Sequence, residues 1–271
     1  MASGVGGVPG LEEMKGENIS LLPIGNGCSV YVSGQHTFGT DAVLLSHFAA
    51  PRRRDRVIDL GTGCGIIPLL WLRDNLVECA AGLELSAEAV TLAEASGQRC
   101  GWQNRLEWIQ GDIRNPFDRL ERGGYSLVTC NPPYKAVGAG LQSSGTSARQ
   151  ARHEVTCTLE DVIRTAAGLL QYGGRLALCH RPERIGEIFS LMTHRRVEPK
   201  RLRLVCKTEG CEPWLVLVEG RLGGGKGVRI APNLNVYAPD GGLSPEMRGI
   251  YGAYLSAGRD MNGTESVSDR S

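Results

Sequence analysis

The chain has 271 residues, 41% of them apolar, and a formal net charge of +1, which supports one sizeable core and carries no overall polyanion-binding signature. Its nine cysteines are scattered without a C-x-x-C pair or a histidine at ligand spacing, which argues against a disulfide framework and against any metal site. No run of 18 apolar residues is present and residues 1–10 lack the basic and apolar regions of a signal peptide, so a cytoplasmic protein without a membrane span is expected.

Residues 1–17 begin with a Gly-rich, uncharged stretch and are expected to be a flexible N-terminus. From Asn18 to Val32, apolar runs flank Gly25-Asn26-Gly27, which predicts a hairpin. Thr40 is expected to cap a helix whose apolar positions include Val43, Leu44, Phe48 and Ala49. A strand–helix rhythm follows. Strands are predicted over residues 56–60, 77–83, 106–109, 126–130 and 175–180. Helices are predicted from Ile66, from Ser86 to about residue 99, and from a Thr158–Asp161 capping box to Leu170, where Gly173-Gly174 should stop the last. A further helix is expected over 182–195, then two strands over 201–207 and 214–221 joined as a hairpin, and a short helix over 245–255. Residues 257–271 are expected to be a disordered tail. Alternating units of this kind predict a doubly wound, mostly parallel seven-stranded α/β sheet with an antiparallel edge hairpin, forming a single domain over 18–256.

Asp59-Leu60-Gly61-Thr62-Gly63-Cys64-Gly65 falls on the first strand-to-helix turn, where glycines let a ligand approach the backbone. Such a turn also fits a nicotinamide dinucleotide. Two details favour S-adenosyl-L-methionine: the spacing is G-x-G-x-G, and an acid precedes it, which repels a pyrophosphate and attracts a cationic methionine end. Glu84, 25 residues after Asp59, ends the next strand, where an acid can hold ribose hydroxyls. Asp112 ends the third, where it can accept from an adenine amine. The three acids face one crevice at the carboxyl edge of the sheet.

The fourth strand of the rhythm ends in Asn131-Pro132-Pro133-Tyr134. Prolines remove ladder donors and stiffen the backbone. The amide oxygen of Asn131 and the carbonyl of Pro132 are two acceptors that can hold a planar NH2 group, while Tyr134 offers a face for stacking a base. Transfer from sulfur to nitrogen then depends on in-line positioning more than on a strong base.

With the Gly-rich turn and this N-P-P-Y sequence, the chain resembles class I S-adenosylmethionine-dependent methyltransferases that act on amino groups, whose fold is Rossmann-like. Gln35-His36-Thr37-Phe38-Gly39-Thr40-Asp41-Ala42-Val43-Leu44-Leu45 is similar to the entry segment of the bacterial tRNA1(Val) (adenine-37-N6)-methyltransferase family, as is Ala151-Arg152-His153-Glu154 to a basic stretch after N-P-P-Y. The resemblance covers about residues 18–255. It implies methylation of the exocyclic amine of an adenine in a tRNA anticodon loop. A monomer is expected, with other oligomeric states left open by the sequence. By position, Asn131, Pro132, Pro133 and Tyr134 are the implied catalytic group. Thr40, Asp41, Asp59, Gly61, Gly63, Gly65, Glu84 and Asp112 are implied in cofactor binding, and Arg152 and His153 in holding RNA.

Other readings stay open. The acceptor can be a protein glutamine, a guanine or other amine of ribosomal RNA, or a DNA adenine, for which a target-recognition domain finds no room. The last is no turnover at all in an RNA-binding module. Residues 175–207 carry nine Lys/Arg against three Glu, and Arg52-Arg53-Arg54 forms a second run. Each is read either as a solvated face or as a strip facing RNA.

Overall fold

The computed structural model describes residues 11, 18–132 and 157–255. The expected flexible ends lie outside the described residues except for Leu11, which is buried against the core, and Pro133, Tyr134, Arg152 and His153 lie outside them as well.

A two-stranded antiparallel sheet, β1 (Ser20–Gly25) and β2 (Cys28–Val32), opens the chain. Its turn runs through left-handed backbone at Asn26 and Gly27, the conformation that the Gly-Asn-Gly sequence favours. Helix α1 (Thr40–Ala49) follows, then β3 (Val57–Leu60), α2 (Ile66–Arg73), β4 (Ala80–Glu84), α3 (Ala87–Arg99), β5 (Leu106–Gln110) and β6 (Tyr125–Cys130). After the undescribed segment come α4 (Leu159–Leu169), β7 (Leu170–His180), α5 (Ile185–His194), β8 (Val197–Cys206), β9 (Pro213–Leu222), β10 (Arg229–Ile230), β11 (Leu234–Asn235) and α6 (Pro245–Tyr251).

The main sheet has the order β10-β8-β9-β7-β6-β3-β4-β5, with β11 also on β8. β3 through β7 pair in parallel, and β9 lies antiparallel between β7 and β8. The mixed, doubly wound sheet is therefore as expected, but it carries nine strands where the sequence predicts seven. The two extra strands are two-residue pairings against the outer strand β8. They cover part of an edge whose backbone groups need partners, and two residues leave no periodic signal to read.

Strand residues alternate between two apolar layers. Val57, Leu127, Ala177 and Leu217 face α1, α2, the hairpin and α6, a layer that includes Trp71 and Phe48. Ile58, Leu60, Val128, Leu176 and Leu178 face α4 and α5. Among the described residues, no helix is long and apolar enough to cross a membrane.

Three expected local features differ. Gly39, not Thr40, occupies the cap of α1, and the Thr40 hydroxyl instead meets Tyr251 Oη at 3.0 Å. Gly173 and Gly174 do not stop α4, which passes directly into β7 at Leu170. They allow an irregularity in the β6–β7 pairing, where a Cβ on Gly174 would lie 3.1 Å from the Tyr125 carbonyl oxygen. The helix predicted over 182–195 is a 3-10 turn, Pro182–Arg184, followed by α5. By contrast, Ser86 caps α3 by accepting from Ala89 N, and the Thr158–Asp161 capping box closes reciprocally.

Candidate active site

Chain order reverses direction between β3 and β6. β4 and β5 lie on one side of β3, and β6 and β7 on the other. Such a switch point opens a crevice at the carboxyl ends of the strands. The Gly-rich turn leaves β3 on one flank of it, and Asn131 leaves β6 on the other.

The turn is bound tightly to β4. Gly61 N and Thr62 N donate to the Leu83 carbonyl at 2.8 and 3.2 Å, and Gly63 N donates to Glu84 Oε2 at 2.9 Å. Gly61, Gly63 and Gly65 all have positive φ (66°, 55° and 80°), which explains the spacing of glycines. Their surroundings differ. A Cβ on Gly63 would meet nothing within 4 Å, and one on Gly61 only Ile113 Cδ1 at 3.7 Å, so space lies open before them. A Cβ on Gly65 would strike the Trp108 ring at 2.5 Å, and its N–H is already given to the Thr62 carbonyl. Gly65 thus serves the packing of the turn, while Gly61 and Gly63 face the crevice.

Glu84 is held at both oxygens by backbone donors, Gly63 N on Oε2 and Ser86 N on Oε1, each at 2.9 Å. Asp59 is only 2% exposed and accepts from Thr129 Oγ1 at 2.6 Å across the β3–β6 pairing. Burial pushes its carboxyl up from 3.8 to about 7, against the hydroxyls of Thr129 and Thr62, with the Glu84 charge adding to the rise. A carboxylate so poorly solvated favours a cationic neighbour. Asp112 has an unexpected partner. Arg114 grips it through the side chain at 2.6 Å and the backbone N–H at 2.8 Å, and this hydrogen bonding holds the carboxyl below its ordinary range. An adenine amine would share Asp112 with that guanidinium.

Thr40 and Asp41 reach the same edge because α1 runs antiparallel to the neighbouring strands. Arg175, opposite Leu127 near the start of β6, donates to the Ala49 carbonyl at 2.9 Å and the Ala50 carbonyl at 3.3 Å. The C-terminus of α1 is therefore at the amino edge and its N-terminus at the carboxyl edge. The loop entering α1 is tied down at two ends. His36 Nε2 meets Ser86 Oγ at 3.2 Å and Ser33 Oγ donates to Glu88 at 3.2 Å. At the other end, the Phe38 ring lies edge-on to Tyr254, 6.5 Å between centroids.

On the acceptor flank, Asn131 is half-buried and Pro132 buried. Cys179 Sγ donates to Asn131 Oδ1 at 3.0 Å. The structure thus brings Asp59, Gly61, Gly63, Glu84, Asp112, Thr40, Asp41, Asn131 and Pro132 to one edge of one sheet. Thr129, Arg114 and Cys179 were not read from the sequence. Thr129 and Cys179 reach their partners only through the parallel registers of β6 with β3 and with β7.

Five of the nine basic residues of the strip form ion pairs within the chain. Arg175 meets Asp55 and Glu219, Arg201 meets Glu219, Arg203 meets Glu246, Arg184 meets Glu187 and Arg195 meets Glu160. Arg52, Arg53 and Arg54 are exposed, but they precede β3 and so lie at the amino edge, away from the crevice.

A doubly wound sheet with a Gly-rich turn and acids at its switch point defines the chain as a methyltransferase of the Rossmann-like class. Residues 23–187 match the model of the methyltransferase small domain, and the chain belongs to that family. Among curated relatives, it is 30% identical to the tRNA1(Val) (adenine(37)-N6)-methyltransferase of Citrobacter koseri over 66% of this chain and 73% of that one. It is 27% identical to the protein of that name from Parabacteroides distasonis, over 67% of this chain and 75% of that one. The family resemblance carried by the entry segment and N-P-P-Y is borne out. A crystal structure of a predicted O-methyltransferase from Agrobacterium tumefaciens superposes with a TM-score of 0.63 at 22% identity, over 79% of this chain and 97% of that one, a likeness of fold alone.

Proposed function

We propose that this protein transfers a methyl group from S-adenosyl-L-methionine to the N6 amine of an adenine in tRNA, at position 37 of tRNA1(Val). The relatives' shared name supports the substrate. The observation that carries the chemistry is the placement of Asp59 on β3 and of Asn131 just past the end of the adjacent β6, on the two flanks of the switch point, one suited to a cation and the other to an amine.

When bound, S-adenosylmethionine supplies a methyl group activated by its sulfonium charge. The residues around it divide the work of holding and aligning. Gly61 and Gly63 leave space for the ligand against the backbone, and Glu84, preset by two N–H donors, meets ribose hydroxyls. Asp112 receives the adenine end in competition with Arg114. Asp59, buried on β3, would face the positive methionine end, with Thr40 and Asp41 closing the pocket there. Asn131 Oδ1 and the Pro132 carbonyl accept the two hydrogens of the target amine and aim its nitrogen along the transfer line, a task for which Pro133 stiffens the backbone and Tyr134 offers a face to stack the base. The surplus proton leaves the nitrogen after transfer, so no strong base is needed. An adenine reaching this crevice has to be turned out of the anticodon loop stack. The monomeric state and the roles of Arg152 and His153 at RNA phosphates belong to the same reading.

The test is transfer of labelled methyl from S-adenosylmethionine to total unmodified tRNA, with ribosomal RNA and total protein as parallel acceptors. Digestion should release labelled N6-methyladenosine from tRNA, and hybrid selection should place it in tRNA1(Val). Label confined to protein or ribosomal RNA would overturn the substrate assignment.

A further inference from the structure

We propose that Cys179 is a positioning residue for methyl transfer, its thiol setting which end of the Asn131 amide faces the acceptor. The inference rests on the role proposed for Asn131. Parallel pairing of β6 with β7 puts Cys130 beside Leu178, so the next pair up is Asn131 beside Cys179. The Cys179 thiol donates to Asn131 Oδ1 at 3.0 Å, and its side chain is 0% exposed, in the apolar layer with Ala177 and Leu217.

An asparagine amide has two ends of nearly equal shape and opposite chemistry, one an acceptor and the other a double donor. Rotation of the amide by half a turn would present N–H groups to the target amine, donor against donor, and the acceptor would be lost. A neighbouring S–H distinguishes the two ends because it donates to oxygen. It is also a weak donor, so it orients Oδ1 while taking up little of the oxygen's accepting strength. The same pattern occurs one step lower on this face of the sheet, where Thr129 donates to Asp59. Cross-strand donors thus orient the key acceptor on each flank of the crevice.

The experiment compares the full chain with Cys179→Val, Cys179→Ser, Asn131→Ala and Asn131→Ala/Cys179→Val, using unmodified tRNA and labelled S-adenosylmethionine. Removing one net hydrogen bond predicts a kcat about 3- to 10-fold lower in Cys179→Val, with KM for tRNA and Kd for S-adenosylhomocysteine within about twofold of the parent. Cys179→Ser, which keeps a donor, should recover most of the rate. In the double variant, the cysteine change should add no loss to that of Asn131→Ala. A folded Cys179→Val with parental kcat would overturn the proposal, as would a serine variant as slow as the valine one, which assigns the effect to packing. If the valine variant does not fold, Cys179→Ala removes the same donor without added bulk and is judged by the same criteria. Parental activity in Asn131→Ala would instead overturn the Asn131 assignment, a result distinct from failure at Cys179 alone.

Discussion

Replacing Asp59 by Asn removes a buried titratable carboxyl with little change of shape, and the consequences can be worked out with their sign. Burial lifts the Asp59 carboxyl from 3.8 to about 7. At about 1.4 kcal/mol per pH unit, that gap bounds the cost of ionising it in the folded protein at about 4 kcal/mol. The folded state keeps this proton up to about pH 7 while the unfolded chain releases it near 3.8. The stabilisation is therefore full below 3.8 and is lost as pH rises to about 7. An amide in its place cannot titrate, so the Asp59→Asn variant should gain about 2–3 kcal/mol on the parent between pH 5 and pH 8, read from urea unfolding at several pH values. His180, held down at about 4 chiefly by burial, acts oppositely: its contribution is present above its ordinary 6.5 and is lost as pH falls towards 4. That slope is common to both proteins and cancels in the difference. Calorimetry at pH 8 supplies the functional half. Loss of a charge-assisted contact of about 1.5–3 kcal/mol should raise the Kd for S-adenosylmethionine roughly 10- to 150-fold. A pH-independent stability difference would refute the buried-carboxyl argument, and an unchanged Kd would remove Asp59 from the cofactor site.

Gly65→Ala should destabilise the protein by about 2 kcal/mol or more, because it combines a left-handed backbone with a Cβ 2.5 Å from Trp108, and thermal unfolding will show whether it does. Arg114→Ala should leave the Kd for S-adenosylhomocysteine equal or lower by removing a competitor for Asp112, whereas Asp112→Ala should raise it; calorimetry on both variants compares them. Arg201→Ala should cost about 1–3 kcal/mol of stability, since Arg201 pairs with Glu219 and lies 3.9 Å over the Phe48 ring. The same substitution should not change the salt dependence of tRNA binding, a reading that separates an internal strut from a phosphate contact.

What could be read from the sequence was what neighbouring residues decide together. Gly61, Gly63 and the acids at Asp59, Glu84 and Asp112 follow the strand ends, and the strand–helix rhythm places those ends on one edge of the sheet. The Ser86 cap and the Thr158–Asp161 box are equally local. The illegible features join distant segments. The Thr40 hydroxyl is engaged with that of Tyr251, 211 positions away, where a cap is the local expectation. Cys179 meets Asn131 only after β6 and β7 align. The excess of positive charge over 175–207 reads as a surface strip because its carboxylate partners, Asp55, Glu160, Glu219 and Glu246, lie elsewhere in the chain. The claim of Arg114 on Asp112 spans two residues, yet it depends on the turn after β5 bringing side chain and backbone to one carboxylate.

The bracing of Glu84 bears on turnover. Both Glu84 oxygens are held by backbone donors, so in the proposed role this carboxylate would meet ribose hydroxyls in the same way for the methyl donor and for the spent product, which differ only at sulfur. Binding strength concentrated there cannot tell one from the other. In that reading discrimination would fall to Asp59, whose carboxyl titrates at about 7, so the preference for the cationic donor over the neutral product would narrow as pH falls.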